Sequence, residues 1–417
     1  MQKQNIIFKS GITLVLSLLF FVNVSVAQKA TLKNSYWKAT LQLNDSTSLP
    51  FNFYVRTTNN KITLEIINAD EKIIVDDISF ANDSIFIKMP VFNSEFKCRK
   101  QSDSQITGAW INYARKTKNI IPFKAISMYP DGIYGKESDS IFFAKSAYEV
   151  TFSDNTNDSY KAVGLFKEQN FYYVEGTFLT ETGDYRYLSG NRGGNKFSLS
   201  CFDGSHAFLF TGEVKGDSIV NGHFYSGAHH HEPWVAVRND NFQLRNPDSL
   251  TYLKPGFTSI DFSFKNLEGK SVSIKDEKFK NKVVIIQIMG SWCPNCMDET
   301  KFLAPFYDKY NSKGLEVVAL AFERTDDFNK AVNNIQRSKK RFSANYEFLI
   351  TMKTGKDQAS EALPMLNAVM AFPTTIYIDK KGVVRKIYTG FNGPATGDAH
   401  TKFVEDTTRF VEMLLAE

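Results

Sequence analysis

Val283-Val284-Ile285-Ile286-Gln287-Ile288-Met289-Gly290-Ser291-Trp292-Cys293-Pro294-Asn295-Cys296 decides how this chain is read. A short apolar run rich in β-branched residues is a buried strand, Gly290 and Ser291 break it, and Pro294 suits the first turn of a helix, where its missing N–H is not needed. The C-x-x-C therefore falls where a strand hands over to a helix. The unpaired N–H groups and positive end of a helix N-terminus stabilise a thiolate, and Cys293 takes that position. Cys296, three residues on, returns to the same face, within reach of a small disulfide ring. The pattern is that of a dithiol able to cycle, with Cys293 expected to be exposed at the helix start.

Outward from this segment the text alternates between strand and helix. A hairpin (Phe262-Ser263-Phe264, a turn at Leu267-Glu268-Gly269-Lys270, Val272-Ser273-Ile274) precedes it. A helix from Pro294 to about Lys313 follows, then a strand from Leu315 to Phe322, a helix from Asp326 to about Arg341 and a strand around Glu347 to Ile350. A helical piece near Gln358 to Leu366, strands at Thr374 to Ile378 and Val383 to Tyr388, and a helix from Phe403 to Leu415 complete an α/β sheet. Upstream the pattern is different. From Thr31 to about Arg238, short alternating runs such as Lys61-Ile62-Thr63-Leu64-Glu65-Ile66 are punctuated by Asn, Asp, Ser and Gly, with almost no helical period. Ile106-Thr107-Gly108-Ala109-Trp110 and Val220-Asn221-Gly222-His223-Phe224, each leading to a Pro-containing strand, outline a weak internal repeat of two β modules. Closure into barrels would satisfy their edges.

The domain plan is thus a signal peptide over 1–27, β modules over 28–128 and 129–240, a polar linker over 241–255 and an α/β domain over 256–417. Lys3 and Lys9 before the apolar run Ile12 to Val22, with Ser25-Val26-Ala27 as a cleavage signal, predict export to a periplasmic or otherwise extracytoplasmic compartment and a mature protein without a membrane span. The chain has 417 residues, 42% hydrophobic and 14% aromatic, which is globular composition. Its formal charge of +5, two units of which belong to Lys3 and Lys9, is too small to imply a nucleic-acid partner. Four cysteines in so long a chain are no disulfide scaffold, so the C-x-x-C reads as catalytic.

With these residues in view, the C-terminal part resembles the TlpA/ResA branch of the thioredoxin superfamily. The resemblance covers about 256–417 and rests on two independent marks, the Trp-flanked C-x-x-C after its strand and Ala371-Phe372-Pro373-Thr374-Thr375-Ile376-Tyr377-Ile378-Asp379 entering a later one. It implies a thiol-disulfide oxidoreductase, more a reductase than an oxidant. Cys293 attacks a substrate disulfide, Cys296 resolves it, and the two form the redox-active disulfide when oxidised. It also implies a cis peptide before Pro373 facing the dithiol, with Trp292, Phe372 and Thr374 as substrate-binding residues. Implied partners are disulfide-containing exported proteins, cytochrome c precursors among them, and a membrane thiol electron donor. No cofactor or metal is implied.

Gln287 stands where thioredoxins place a buried acid, and it cannot accept the proton of Cys296. Glu299, on the same helical face three residues after Cys296, matches a glutamate of ResA-like proteins and is the candidate acceptor, against a plain solvated helix carboxylate. Glu323 is the reserve. Half a zinc site is the competing reading of the C-x-x-C, but no second C-x-x-C or His pair completes it in this domain. The stretch from Cys296 to Pro373 is long, so an insertion is expected around Arg337-Ser338-Lys339-Lys340-Arg341 and Thr354 to Met370, the basic run being at its simplest a solvated helix end. Five of the six histidines (His206, His223, His229, His230, His231) cluster in the second β module; three in a row on a strand cannot converge, so a polar hairpin end competes with a metal site. Cys98 and Cys201 read as buried free thiols or a bridge between the modules. Two other functions are weighed: a thiol peroxidase, for which the required Pro and Thr are replaced by Ile286 and Gly290, and an exported β-module binding protein with an accessory redox-sensing domain.

Overall fold

The computed structural model describes residues 31–128, 143, 146–169 and 172–417. The expected signal peptide over 1–27 lies outside the described residues.

The N-terminal region is two antiparallel sheets of nine strands each. In the first, Tyr36–Gln42 pairs on one side with Ser48–Thr58 and on the other with Ile120–Met128, so the last strand lies beside the first. The second repeats this device, with Ala147–Phe152 between Tyr160–Glu168 and His230–Arg238. Here the ring also closes, because Tyr160–Glu168 pairs with Tyr173–Thr180. The two segments that look alike in sequence are equivalent strands, each next to the last of its sheet. Their glycines have a steric reason: a Cβ at Gly108 would collide with the Lys97 carbonyl, and one at Gly222 with that of Trp234. Alternating burial along strands such as Ser48–Thr58 sends every second side chain inward. The second barrel is filled by aromatic rings, Phe210 stacking on Phe178 at 4.5 Å and on Phe224 at 4.4 Å.

The C-terminal domain has a seven-stranded mixed sheet in the order Ser271–Ser273, Ser263–Asn266, Glu347–Ile350, Leu315–Ala321, Val283–Met289, Thr374–Ile378, Val384–Thr389. Its central strand, Val283–Met289, is buried throughout and runs parallel to Leu315–Ala321 and antiparallel to Thr374–Ile378. Helices Pro294–Tyr310, Phe328–Phe342, Gly355–Ala362 and Asp398–Ala416 cover the faces. The last begins five residues earlier than the apolar period indicates, after Gly397 in a positive-φ conformation. The basic run ends the helix Phe328–Phe342, and the helical piece is Gly355–Ala362 rather than Gln358 to Leu366. The polar linker is strapped to this domain: Leu253 bridges Leu366, and the Tyr252 N–H donates to Asn367 Oδ1 at 2.8 Å. Among the described residues, no helix is long and apolar enough to cross a membrane.

The three sheets are joined by buried polar contacts. Phe202 leaves the second barrel to stack on Phe51 of the first sheet at 4.6 Å, and its backbone is met by both ends of the Asn68 amide. Arg186, on the loop after the short strand Gly183–Asp184, reaches Glu71 of the first sheet, Asp203 of the second and Asp298 of the helix Pro294–Tyr310. It is 6% exposed and Asp203 is fully enclosed. A fork of five donors suits such a hub, and removing it strands three carboxylates together. Arg186→Ala should cost about 3–5 kcal/mol in urea denaturation and accelerate alkylation of Cys293 by iodoacetamide, whereas a loss under about 1 kcal/mol would show that the hub does not hold the domains.

Candidate active site

The central strand and its neighbour set the chemistry beneath the dithiol. Gln287 and Thr375 are cross-strand partners, so both side chains point to one face, toward the helix Pro294–Tyr310. There they meet Glu299. Gln287 Nε2 donates to Glu299 Oε2 at 2.9 Å and the Thr375 hydroxyl donates to Oε1. The same Gln287 amide nitrogen lies 3.3 Å from the Cys296 carbonyl oxygen, and Tyr346 donates to Gln287 Oε1 at 3.2 Å. Glu299 is 1% exposed. Burial pushes its carboxyl up to about 7, against the opposing pull of the Thr375 and Gln287 hydrogen bonds. The solvated-carboxylate alternative is thereby corrected, since Glu299 faces inward.

Cys293 is the N-cap of that helix, and its Sγ accepts the Cys296 N–H at 3.3 Å. Its thiol also donates to the Phe372 carbonyl at 3.4 Å, beside the Phe372–Pro373 peptide, which is cis. Both active-site cysteines are free. Burial first, then the Cys293 sulfur and the Glu299 charge, push the Cys296 thiol well above its ordinary range. Trp292 packs edge-on against Phe372 at 5.4 Å, donates its indole N–H to the Phe322 carbonyl, and carries the Arg324 guanidinium over its ring at 3.6 Å. Thr374 is fully buried and spends its hydroxyl on the Ala371 carbonyl. Glu323, the reserve acid, has its oxygens engaged by the Ser291 N–H and hydroxyl and by Asn334, which pins the loop before Trp292.

One expectation is overturned. Cys293 is not exposed at its helix start but 7% exposed, because the second β barrel lies over it. The Ser205 hydroxyl donates to the Trp292 carbonyl at 3.0 Å, and the Asn295 amide donates to the Asp184 carbonyl. Gly183 makes the approach possible, since a Cβ there would collide with the Asn295 side chain. What remains open to Cys293 is a cleft of about 400 Å³ with walls from both the barrel and the α/β domain. Arg115, Ser205, His206 and His229 line it; nothing in the local sequence marks Arg115 and Ser205, whereas the two histidines belong to the cluster visible in the sequence.

The histidine cluster is a hairpin end with local pairing. His223 Nδ1 lies 3.1 Å from His231 Nε2, and His230 lies 3.1 Å from Glu232. No group of three or more His, Cys, Asp or Glu among the described residues is placed to hold a metal. Cys98 and Cys201 are free and buried, and burial pushes the Cys98 thiol up to about 12.

The sequence also matches known proteins. Residues 254–402 match the Redoxin family model. The thiol-disulfide oxidoreductase ResA of Bacillus thuringiensis subsp. konkukian is 30% identical over 153 residues, which is 37% of this chain and 78% of that protein. The chain belongs to the ResA family of thiol-disulfide oxidoreductases. The ResA of Geobacillus thermodenitrificans is 29% identical over 140 residues, 34% of this chain and 72% of the relative. Among solved structures, a thioredoxin-family thiol:disulfide interchange protein from Chlorobium tepidum is 21% identical, aligning over 38% of this chain and 95% of its own with a TM-score of 0.29. The family match covers most of the α/β domain that carries Cys293 and Cys296, so the chain is a thiol-disulfide oxidoreductase with a β-rich N-terminal region.

The Glu299 environment has a measurable consequence. A carboxyl raised to about 7 in the fold holds its proton where the unfolded chain has released it, so stability from this group is full below about pH 4.5 and falls as pH rises through 7. Glu299→Gln removes that slope. The variant should gain on the wild type by about 2–3 kcal/mol between pH 4.5 and pH 8.5 in denaturant titrations; a pH-independent difference would place the Glu299 carboxyl in its ordinary range.

Proposed function

We propose that this protein is an exported reductase that transfers electrons from a membrane thiol donor to disulfides of extracytoplasmic proteins, with cytochrome c precursors as one substrate class that the ResA resemblance implies. The observation that carries the reading is a deeply buried Cys296 backed by Glu299. An oxidant is one whose reduced form is stabilised as thiolate. Here burial and a neighbouring carboxylate both oppose ionisation of Cys296, so that sulfur adds no thiolate stabilisation to the reduced pair, and the ResA resemblance favours the reductase direction.

In this reading the Cys293 thiolate attacks one substrate sulfur, forming a mixed disulfide as the other sulfur leaves and takes up a proton. Glu299 accepts the Cys296 proton, and Cys296 attacks Cys293 Sγ. The second substrate thiol departs, two electrons having passed to the substrate and a disulfide having closed between Cys293 and Cys296. Pro373 and Phe372 face the attacked disulfide, and Trp292 walls the cleft. Thr374 acts by holding the turn through Ala371. The basic n-region, the apolar run and Ser25-Val26-Ala27 support export. The divisions 28–128, 129–240, 241–255 and 256–417 serve as working units, the two β modules restricting access to the dithiol. The family membership favours this chemistry over a thiol peroxidase, and the barrel residues that line the cleft support the β modules acting with the dithiol over a separate binding protein.

The reduction potential of the Cys293/Cys296 pair, followed by Trp292 fluorescence in thiol buffers with Cys293→Ser as control, should be about −250 mV or lower; a value near about −120 mV would make the protein an oxidant. Glu299→Gln should slow resolution of the mixed disulfide about 10²-fold and abolish the inflection near pH 7 in its rate profile. An unchanged profile would move the proton to another acceptor.

A further inference from the structure

The cleft over Cys293 carries more positive charge than its neighbours neutralise. Arg115, from the loop after the strand Gln105–Asn112, and Arg324, from the loop after Leu315–Ala321, both line it beside Cys293. Neither guanidinium is in an ion pair among the described residues, Arg324 lying instead over the Trp292 ring, whereas Arg186 nearby has three. They lie close enough that the charge of Arg324 holds the Arg115 guanidinium below its ordinary range, after burial as the larger cause. Burial likewise holds the Arg324 guanidinium below its ordinary range, opposed by the Cys293 sulfur and by the charge of Glu323. The acid that lines the cleft, Asp184, is spent: its carboxylate accepts the Arg186 N–H at 2.6 Å and the Gly393 N–H at 2.6 Å. His206 is paired with Asp203, and burial together with the charge of Arg115 pushes His229 down to about 4, so His229 is neutral there and leaves the positive charge of the arginines unchanged. Two cations of separate domains, neither in an ion pair, thus line the cleft that opens on the Cys293 sulfur. Arg324 is exposed and Arg115 half-buried, so both guanidiniums stay charged and are open to an anion that enters the cleft.

The shape agrees with the charge. The cleft shares Arg115, Tyr185, His206, Phe208 and His229 with a second cavity of about 680 Å³ that leads to the His230–Glu232 hairpin end. A rigid protein surface has no route to a 7% exposed sulfur, but a narrow substrate does.

We propose that the substrate of this dithiol is a disulfide with a carboxylate next to the attacked sulfur, gripped by Arg115 and Arg324 in the cleft between the second barrel and the α/β domain. The proposal rests on the reductase reading above and adds the substrate class. The reaction is the two-electron exchange already described; the substrate leaves as two thiols, and the carboxylate takes no part beyond binding. Arg115 and Arg324 are positioning groups. An acidic unfolded peptide and a small dicarboxylate disulfide share this chemistry.

The test uses the full reduced protein and stopped-flow Trp292 fluorescence. Three peptide disulfides, identical except for Asp, Asn or Lys beside the cystine, are compared, together with 5,5′-dithiobis(2-nitrobenzoate) and cystamine as small anionic and cationic probes. The rate ratio of Asp to Lys peptide should be about 10 or more at low salt and shrink as salt is added. It should approach one in Arg115→Gln and in Arg324→Gln, with Lys116→Gln, an exposed neighbour, retaining it. Two variants on different domains guard against misfolding of either one. An Arg-dependent preference among the peptides assigns the carboxylate to a protein segment; one confined to the small probes, each ratio normalised to its rate with free dithiothreitol, assigns it to a small molecule. Equal rates across charges, or a preference untouched by both Arg variants, overturns the proposal while leaving the reductase reading intact. No reaction with any disulfide sinks the reductase reading itself.

Discussion

Arg186 is the contact on which the rest of the structure depends. One buried guanidinium is shared by Glu71, Asp203 and Asp298, which belong to the first sheet, the second barrel and the catalytic helix. A buried charge is tolerable only when its partners are held in place, and the partners are tolerable only while the charge is present. The hub therefore couples the three bodies: none can shift without leaving a carboxylate or a guanidinium unpaired out of water. Asp298 stands two residues after Cys296, so the same coupling fixes the barrel over the dithiol.

That roof changes the chemistry available at the helix start. An open C-x-x-C can meet a folded protein face on; this one meets its substrate in a cleft whose far wall is the barrel. Beneath the dithiol the environment is dry. Gln287, in the central strand, cannot take a proton, but its amide holds Glu299 in position, and burial raises Glu299 into the range where a carboxyl exchanges protons near neutrality. The pair divides between two residues what one acid could do alone: one orients, the other ionises. Above the dithiol the charge balance is reversed, with Arg115 and Arg324 lining the cleft and neither in an ion pair among the described residues. The site is thus asymmetric, a buried carboxyl on the side of Cys296 and a cleft with two arginines on the side of Cys293.

The α/β elements around the dithiol could be read from the chain because each is decided by local pattern. Seven consecutive residues buried on both faces make Val283–Met289 apolar throughout, and Gly290 and Pro294 punctuate the strand-to-helix transition. The strand text of the β region was equally plain, and the recurring glycine next to each last strand betrayed the repeat. Helix ends were less legible, as at Asp398, where Gly397 and not the apolar period decides the start. The position of Glu299 on the face of Cys296 follows from helical spacing, but its burial does not, since that depends on Thr375 and Gln287 arriving from two paired strands.

What the sequence by itself determined is the dithiol, its strand and helix, the fold of the domain that carries it and the β character of everything before it, because periodicity, turn residues and motif spacing act over a few residues. What only the tertiary structure decided is that Cys293 is roofed over, that Arg186 locks three bodies together, and that Arg115 and Arg324 line the cleft that opens on the Cys293 sulfur. Those residues are far apart in the chain and carry no local signal. Their roles come from segments that only folding brings together, the desolvation of the Arg186 hub being the strongest case, which no single stretch of sequence contains.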